Sequence, residues 1–372
     1  MAKFDALVIG AGIAGSTIAH ALSARGVKVG VIEQGKIACG ASGAAGAFLS
    51  PMMGKGALVD FVNNALDFSL SFYEQIAADL LVKKGALRFP KSNETIEEFK
   101  RDTDLIKIPF ERRDNAVFFP NAGAIDAIKL CARLLQNCAV FEGAKADRPR
   151  YKNGEWNVGE FQAPILVVSI GAYHSILPDW WLKTRGVWGE RLRVKPIKQI
   201  EQNYMGDIAI SATFQGGEAA IGATHKRGAI DWQIDYGAIG ALTNKAAKLL
   251  EHIKDAKFID ILGGMRPSSS DYIPIAGLFP NAHKTLRDFP DIPNGRQIAA
   301  EAFSYYHNLY VFGAHGARGF VTAPYTARAL ALAIVDGAKS AAMFEPSRFI
   351  LRVFRRSAEA FNALEQFNGL EY

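Results

Sequence analysis

Gly10, Gly12 and Gly15 stand at G-x-G-x-x-G spacing, directly after the apolar run "ALVI" and before "IAGSTIAHAL". Ala14 falls inside the same turn. This spacing suits binding chemistry. The first glycine permits a tight turn, the second lets backbone approach a pyrophosphate, and the third lets a helix pack closely on its strand. The helix start offers unpaired N–H groups and a positive dipole end to the phosphates. Glu33 follows Gly15 by 18 residues and ends a second apolar run, "VKVGVIE". Its carboxylate can accept hydrogen bonds from ribose hydroxyls and disfavours a 2′-phosphate. With both strands and the acid in place the pattern predicts an extended dinucleotide site. A structural strand–helix–strand unit with incidental glycines is the alternative.

A second set of glycines, Gly313, Gly316 and Gly319, lies near the other end in "GAHGARGFVTAP". An apolar strand, "NLYVF", precedes it and a helical run, "YTARALALAIV", follows. Between the two turns, "ACGASGAAGAFLSPMM" (38–53) comes almost at once after the second strand. A nicotinamide domain would run a crossover helix here. Ala41, Ser42, Gly43 and Gly46 instead make a loop of small residues, which lets N–H groups crowd a flat, anionic cofactor such as a flavin. Ser42 adds a hydroxyl. The alternative is a flexible surface loop.

These groups need elements to hold them. Helical periodicity runs over 60–83 and again over "AIDAIKLCARLLQN" (124–137), with Cys131 and Cys138 read as core thiols. Residues 91–118 are charged and irregular, and read as an insertion or cap. "APILVVSIGAYH" (163–174) reads as a buried strand carrying Gly171 back to the cofactor domain. From 176 to 257 the pattern alternates like antiparallel strands. The expected fold is α/β, a Rossmann-like dinucleotide domain interleaved with an antiparallel-sheet substrate domain. The expected boundaries are 1–85, 119–175 and 258–345 for the first, 86–118 and 176–257 for the second, and 346–372 for a basic helical tail.

The bulk composition sets limits. The chain of 372 residues is 49% hydrophobic and 22% charged, as in an ordinary globular protein. Three cysteines, irregularly spaced, suit neither a disulfide framework nor a zinc site, so reduced thiols in a cytoplasm are expected. No His/Cys/Asp/Glu cluster has metal-ligand spacing. No stretch reaches 18 unbroken apolar residues, and the N-terminal apolar run is broken by glycines, so neither a membrane span nor a signal peptide is expected. The net charge of +6 permits a polyanionic partner without requiring one.

The two turns with Glu33, "GASGAAG", "GATHKRG", "GMRPSSSDYIPIAG" and "GAHGARGFVTAPYTARALA" occur in an order that resembles the D-amino-acid-oxidase-like flavoenzymes, which include glycine and sarcosine oxidases. Within them the chain is most similar to the oxidase domain of the bifunctional tRNA 5-methylaminomethyl-2-thiouridine biosynthesis family. "GATHKRG", "GARG…AP" and "FEPSRFILRVFRR" carry that narrower match. The resemblance implies non-covalent FAD stretched between the turns, with Gly10–Gly15 on the pyrophosphate and Gly313–Gly319 near the flavin ring. The helix starting near Gly319 would stabilise negative charge on the reduced ring. Arg318 either adds to this or bonds the backbone. In the matching G-x-R-P context an arginine holds the substrate carboxylate, which nominates Arg266; a planar guanidinium grips a carboxylate bidentately. Pairing with Asp271 is its structural alternative.

The implied reaction oxidises an N–CH2–COO⁻ group to an imine, which water splits to an amine and glyoxylate, with oxygen or another acceptor taking the electrons. Applied to tRNA, the substrate is the 5-carboxymethylaminomethyl group of a wobble uridine and the product 5-aminomethyluridine. Any later methylation would fall to a separate methyltransferase. His225, Tyr272 and His315 are candidate pocket residues, and no general base is nominated. Arg348, Arg352, Arg355 and Arg356 share one helical face. Arg191, Arg193 and Lys195 alternate near Trp180, Trp181 and Trp188. Both sets suit phosphate contacts and base stacking, or are simply solvated; the tail also suits an anionic membrane surface. Ala44, Ala45, His315 and Ala317 depart from the family's usual residues and sit near the expected flavin. Two other readings stay open: an oxidase or dehydrogenase of free glycine, sarcosine or a D-amino acid, and a non-catalytic flavin-bound binding protein.

Overall fold

The computed structural model describes residues 2–172, 176–177, 181–182, 184–228, 233–292, 294–339, 341–350 and 353. Its organising element is a six-stranded sheet. In spatial order the strands are Ala139–Glu142, Val29–Glu33, Ala6–Ile9, Ile165–Val168, Tyr305–Gly313 and Ile275–Pro280. The first five run parallel and the last antiparallel. Ala6–Ile9 and Val29–Glu33 are buried throughout, as expected of strands covered on both faces.

Helices Ile13–Ser23, Ala57–Ala77, Ala127–Leu134 and Gly319–Asp336 cover one face and share one apolar core. Cys131 lies buried in it, with Cys138 at its margin. The hydroxyls of Ser69 and Tyr73 donate to the carbonyls of Val321 (2.7 Å) and Phe320 (2.8 Å). They thereby tie the 57–77 helix to the first turn of the 319–336 helix. The other face packs against a second core containing Trp156, Trp181 and Phe279.

A nine-stranded, mostly antiparallel sheet forms the other layer. Its long strand, Thr184–Lys195, pairs over its whole length with Lys257–Ser269. At one end it also pairs with Lys226–Arg227, and at the other with Ala219–Gly222. The strand Ala86–Arg88 of the 91–118 neighbourhood joins the far side of this sheet.

Two regions differ from the sequence reading. The stretch expected to be irregular contains a helix, Ile96–Asp104, closed by a capping box: the Thr95 hydroxyl accepts from the Glu98 N–H (3.1 Å) and the Glu98 carboxylate from the Thr95 N–H (2.9 Å). The region read as strands alone holds the helix Ala238–Ala247, which buries Ala238, Leu242 and Ala246 at helical spacing. Of the expected basic tail, the described part is a short 3-10 turn, Pro346–Phe349, and Arg352, Arg355 and Arg356 lie outside the described residues. Among the described residues no helix is long and apolar enough to cross a membrane.

Candidate active site: a cavity between two glycine turns

A cavity of about 770 Å³ runs along the carboxyl ends of the parallel strands and under the antiparallel sheet. Gly10, Gly12, Ala14 and Glu33 line it from the first turn. Ala41, Ser42, Gly46 and Gly171 line it from the adjoining loops. Gly313, His315, Gly316, Arg318 and Gly319 line it from the second turn, and His225 and Arg266 from the antiparallel sheet.

The first turn is packed without slack. Gly10 has φ +103°, and a Cβ there would lie 2.5 Å from the Ser169 carbonyl oxygen. Gly15 does not line the cavity; a Cβ on it would lie 1.8 Å from the Gly10 oxygen. Its glycine serves helix–strand contact. The Ile13 N–H donates to the Ser42 hydroxyl at 2.9 Å, so Ser42 fastens its loop to the helix start. Gly43 also lies behind the lining, where a Cβ would meet the Ala38 carbonyl at 2.4 Å. Glu33 is oriented by the N–H groups of Ala11 and Gly35, each at 2.8 Å, which leaves lone pairs for hydroxyl donors.

The second turn is built differently. Ala314 and Gly316 both take positive φ, 58° and 59°, and a Cβ on Gly313 would meet nothing within 4 Å. The helix from Gly319 has no side-chain cap, so its first N–H groups have no side-chain acceptor. The Arg318 guanidinium lines the cavity, makes among the described residues one long contact (3.4 Å) to the Ser50 carbonyl, and is held below its ordinary value by burial. His315 is buried beside it, and burial pushes its pKa down to about 3. Its Nδ1 faces the Thr322 hydroxyl at 2.9 Å, and that hydroxyl donates to the Arg318 carbonyl at 3.0 Å. The hydroxyl's proton is thereby committed, so Nδ1 carries the imidazole proton and His315 is a neutral Nδ1–H tautomer.

Arg266 projects from the strand Lys257–Ser269 into the cavity. It has no carboxylate partner among the described residues. One terminal nitrogen donates to the Thr224 carbonyl (2.8 Å); the other meets His225 Nε2 at 3.0 Å. Burial lowers its pKa, with the charge of Glu190 opposing. His225 is lowered by burial first and by the Arg266 charge second, so its neutral ring accepts from Arg266. The guanidinium lies where a side chain on Gly189 would be: a Cβ there would fall 1.5 Å from an Arg266 nitrogen. Thr224 is fixed in turn by Glu190. Its hydroxyl accepts from the Glu190 N–H (2.8 Å) and donates to the Glu190 carboxylate, which also takes the Trp188 indole N–H (2.7 Å). Sequence reading missed Gly189, Glu190 and Thr224. The available signal was a glycine breaking an otherwise large-residue strand beside "GATH".

Several expected residues stand elsewhere. Arg348 is turned inward. It is bonded to the Asp271 carboxylate (3.0 and 3.2 Å) and to backbone carbonyls, including that of Ile273 at 2.8 Å. The carboxylate considered for Arg266 is therefore taken by Arg348, which is not free for a polyanion. Tyr272 is exposed and does not line the cavity. Arg191 is buried; it donates to the Gly43 carbonyl at 2.7 Å and burial lowers it to about 10. Arg193 is paired with Asp260 at 2.8 Å and lies near Glu218. Of that alternating trio only Lys195 is solvent-facing. Trp181 and Trp188 are buried, and Trp180 lies outside the described residues.

A tight glycine turn at a helix start, an oriented acid at the end of the neighbouring strand, and a helix without a side-chain cap beside an arginine that among the described residues has no carboxylate partner fit the parts of a flavin dinucleotide. Residues 5–333 match the family model DAO, FAD dependent oxidoreductase. The chain belongs to the DAO family of FAD-dependent oxidoreductases. The cofactor of this DAO-family protein is FAD. It is 26% identical over 365 residues to the tRNA 5-methylaminomethyl-2-thiouridine biosynthesis bifunctional protein MnmC of Legionella pneumophila, covering 88% of this chain and 53% of that protein. The chain thus spans about half the length of the MnmC proteins it matches. It is 23% identical to glycine oxidase of Geobacillus kaustophilus, covering 75% of this chain and 85% of that one. The crystal structure of that glycine oxidase superposes with a TM-score of 0.76 at 21% identity, over 94% of this chain and 99% of the other. L-proline dehydrogenase from P. horikoshii superposes at 0.74 and 17% identity, over 94% and 98%. These likenesses show the fold.

Proposed function

We propose that the chain oxidises the 5-carboxymethylaminomethyl group of a wobble uridine in tRNA, releasing glyoxylate and leaving 5-aminomethyluridine. The observation that carries the reading is Arg266, which among the described residues is hydrogen-bonded to no carboxylate and opens into the same cavity as both glycine turns. The similarity to MnmC supplies the tRNA side of it.

Bound FAD supplies the hydride acceptor. The chain's own part is binding and orientation. Arg266 holds the carboxylate through its remaining N–H groups, and its anchors on Thr224 and His225 fix the direction in which the carboxylate points. The substrate nitrogen reacts as a neutral amine. A hydride leaves the α-carbon, a C=N bond forms with loss of the N–H proton, and water adds to that carbon. Breaking the C–N bond then yields the primary amine and glyoxylate. Positioning carries much of the rate, and no side chain is required as a base.

Oxidation of a free N-substituted glycine is the second reading. It is favoured by the greater share of glycine oxidase, 85% of its length, that the chain covers. Anaerobic mixing with tRNA bearing the carboxymethylaminomethyl group, followed by nucleoside analysis, separates the two. Bleaching of the flavin with formation of 5-aminomethyluridine and glyoxylate is expected. Bleaching by N-methylglycine but not by the tRNA would sink the tRNA reading.

A further inference from the structure

The strand register places more cations around Arg266 than the small-acid chemistry uses. Opposite residues on paired strands share a face, and that face alternates along each strand. Val187 lies opposite Arg266 on one side and opposite Arg227 on the other, and Arg185 lies opposite Ser268. Arg185, Arg227 and Arg266 therefore occupy one face of three neighbouring strands. That face looks into the cofactor cavity. Gly189, on the same side of its strand, makes room for the Arg266 guanidinium, and Gly264, on the same side as Arg266, faces Ala41 at a distance that would leave a Cβ 2.6 Å from its Cα. Further along, Arg193 on this face is neutralised by Asp260, and Arg191 is spent on Gly43. Arg185 and Arg227 are exposed and have no acid partner among the described residues. Lys226, next to Arg227, points to the other face, where it is paired with Asp235 (2.9 Å) and Glu190 (3.4 Å). Across the opening, Lys91 lines the cavity and is exposed, and its charge helps hold the Asp207 carboxyl, also in the lining, below its ordinary value.

From this arrangement we infer that Arg185 and Arg227 form a docking surface for the RNA backbone, binding the phosphates that flank the modified nucleotide while Arg266 holds its carboxylate. The inference rests on the tRNA reading above. The spacing is appropriate: with strands about 5 Å apart, Arg185 and Arg227 stand roughly one and two strand widths from Arg266. That is within arginine reach of the phosphates of the very nucleotide whose side group enters the cavity. A free N-substituted glycine has no second anion to place there.

The test uses the intact FAD-loaded protein and two substrates with the same reacting group. One is an anticodon stem-loop RNA carrying 5-carboxymethylaminomethyluridine; the other is the free nucleoside, which lacks phosphates. The double variant Arg185→Glu/Arg227→Glu is expected to raise KM for the RNA at least ~tenfold, since charge-assisted phosphate contacts become repulsive. Turnover of the nucleoside and flavin content should stay within about twofold. Arg185→Ala/Arg227→Ala should flatten the log–log salt dependence of RNA binding by about 1.4, from about 0.7 per lost single-strand phosphate contact. Unchanged RNA KM with unchanged salt slope would overturn the docking surface alone. An equal loss for nucleoside and RNA would also overturn it, by placing the pair in the small-substrate site. A wild-type enzyme that converts neither RNA nor nucleoside would overturn the tRNA reading itself, and this surface with it.

Discussion

The two glycine turns share a spacing theme and differ in what the missing side chains make room for. At the first, the protein's own backbone fills the space: the Gly10 oxygen against Gly15 and the Ser169 oxygen against Gly10. At the second, Gly313 faces nothing within 4 Å, and the nearest neighbour of Gly319 is the Ile13 side chain at 3.0 Å. The first turn needs its glycines in order to fold. The second leaves open space in the cavity, lined by a half-buried Arg318 and a buried His315. One turn is closed by its own backbone; the other opens on the cavity.

The sharpest way to break this contrast is a methyl group. Gly15→Ala should yield insoluble protein or a melting temperature lower by on the order of 10 °C even without FAD, because the contact is backbone to backbone and cannot relax cheaply. Gly313→Ala should leave the FAD-free melting temperature nearly unchanged and act on FAD affinity alone. Equal stability losses at the two positions, by calorimetry of the FAD-free proteins, would erase the distinction.

Next in size is the acid anchor. Arg266→Ala should lower kcat/KM for carboxylate substrates by about 10²-fold or more while flavin content is kept. Gly189→Ala should move the same guanidinium without removing its charge, raising KM roughly tenfold with a smaller effect on kcat. Steady-state kinetics of both variants tests this pair; an unaffected Gly189→Ala enzyme would mean that the guanidinium has another resting place.

The smallest expected effect concerns His315. It stays neutral in the fold down to about pH 3, whereas an unfolded histidine takes up a proton near 6.5. As pH falls below 6.5 the unfolded state binds the extra proton, so stability is full above 6.5 and is lost progressively toward 3. Between pH 7 and pH 5 the cost is about 2 kcal/mol. Melting curves of the FAD-free protein should show it, and His315→Gln should flatten the acid limb. An identical acid limb in that variant would show that other groups set it.

The strand, helix and acid of the first turn were legible in the sequence because their demands are local and lie within one short segment; Gly15, read with the cofactor contacts, stands behind the cavity lining. The second turn was legible as a motif, but the pairing of His315 with Thr322 and the lack of a carboxylate beside Arg318 among the described residues depend on tertiary surroundings that no local stretch of sequence states. Arg266 could be nominated from its neighbours; its supports, Gly189 and the Glu190–Thr224 pair, come from strands that meet only through cross-strand register. Charge alternation at 191–195 misled for a related reason. The spacing correctly placed the side chains on one face, but not which face was covered or which cations already had acids beside them. The helix Ile96–Asp104 had a readable start in Thr95 and Glu98, masked by the surrounding density of charge.

One strand carries the consequence furthest. Along Lys257–Ser269 a single row of alternate residues presents Gly264 to Ala41, Arg266 to the cavity and Ser268 to the turn at His315, with which Ser268 forms a β-bridge. The strand works as a ruler: it fixes the spacing between the loop at Ala41, the guanidinium in the cavity and the second glycine turn. Slipping its pairing by one residue would keep the sheet and rotate all three marks out of view together.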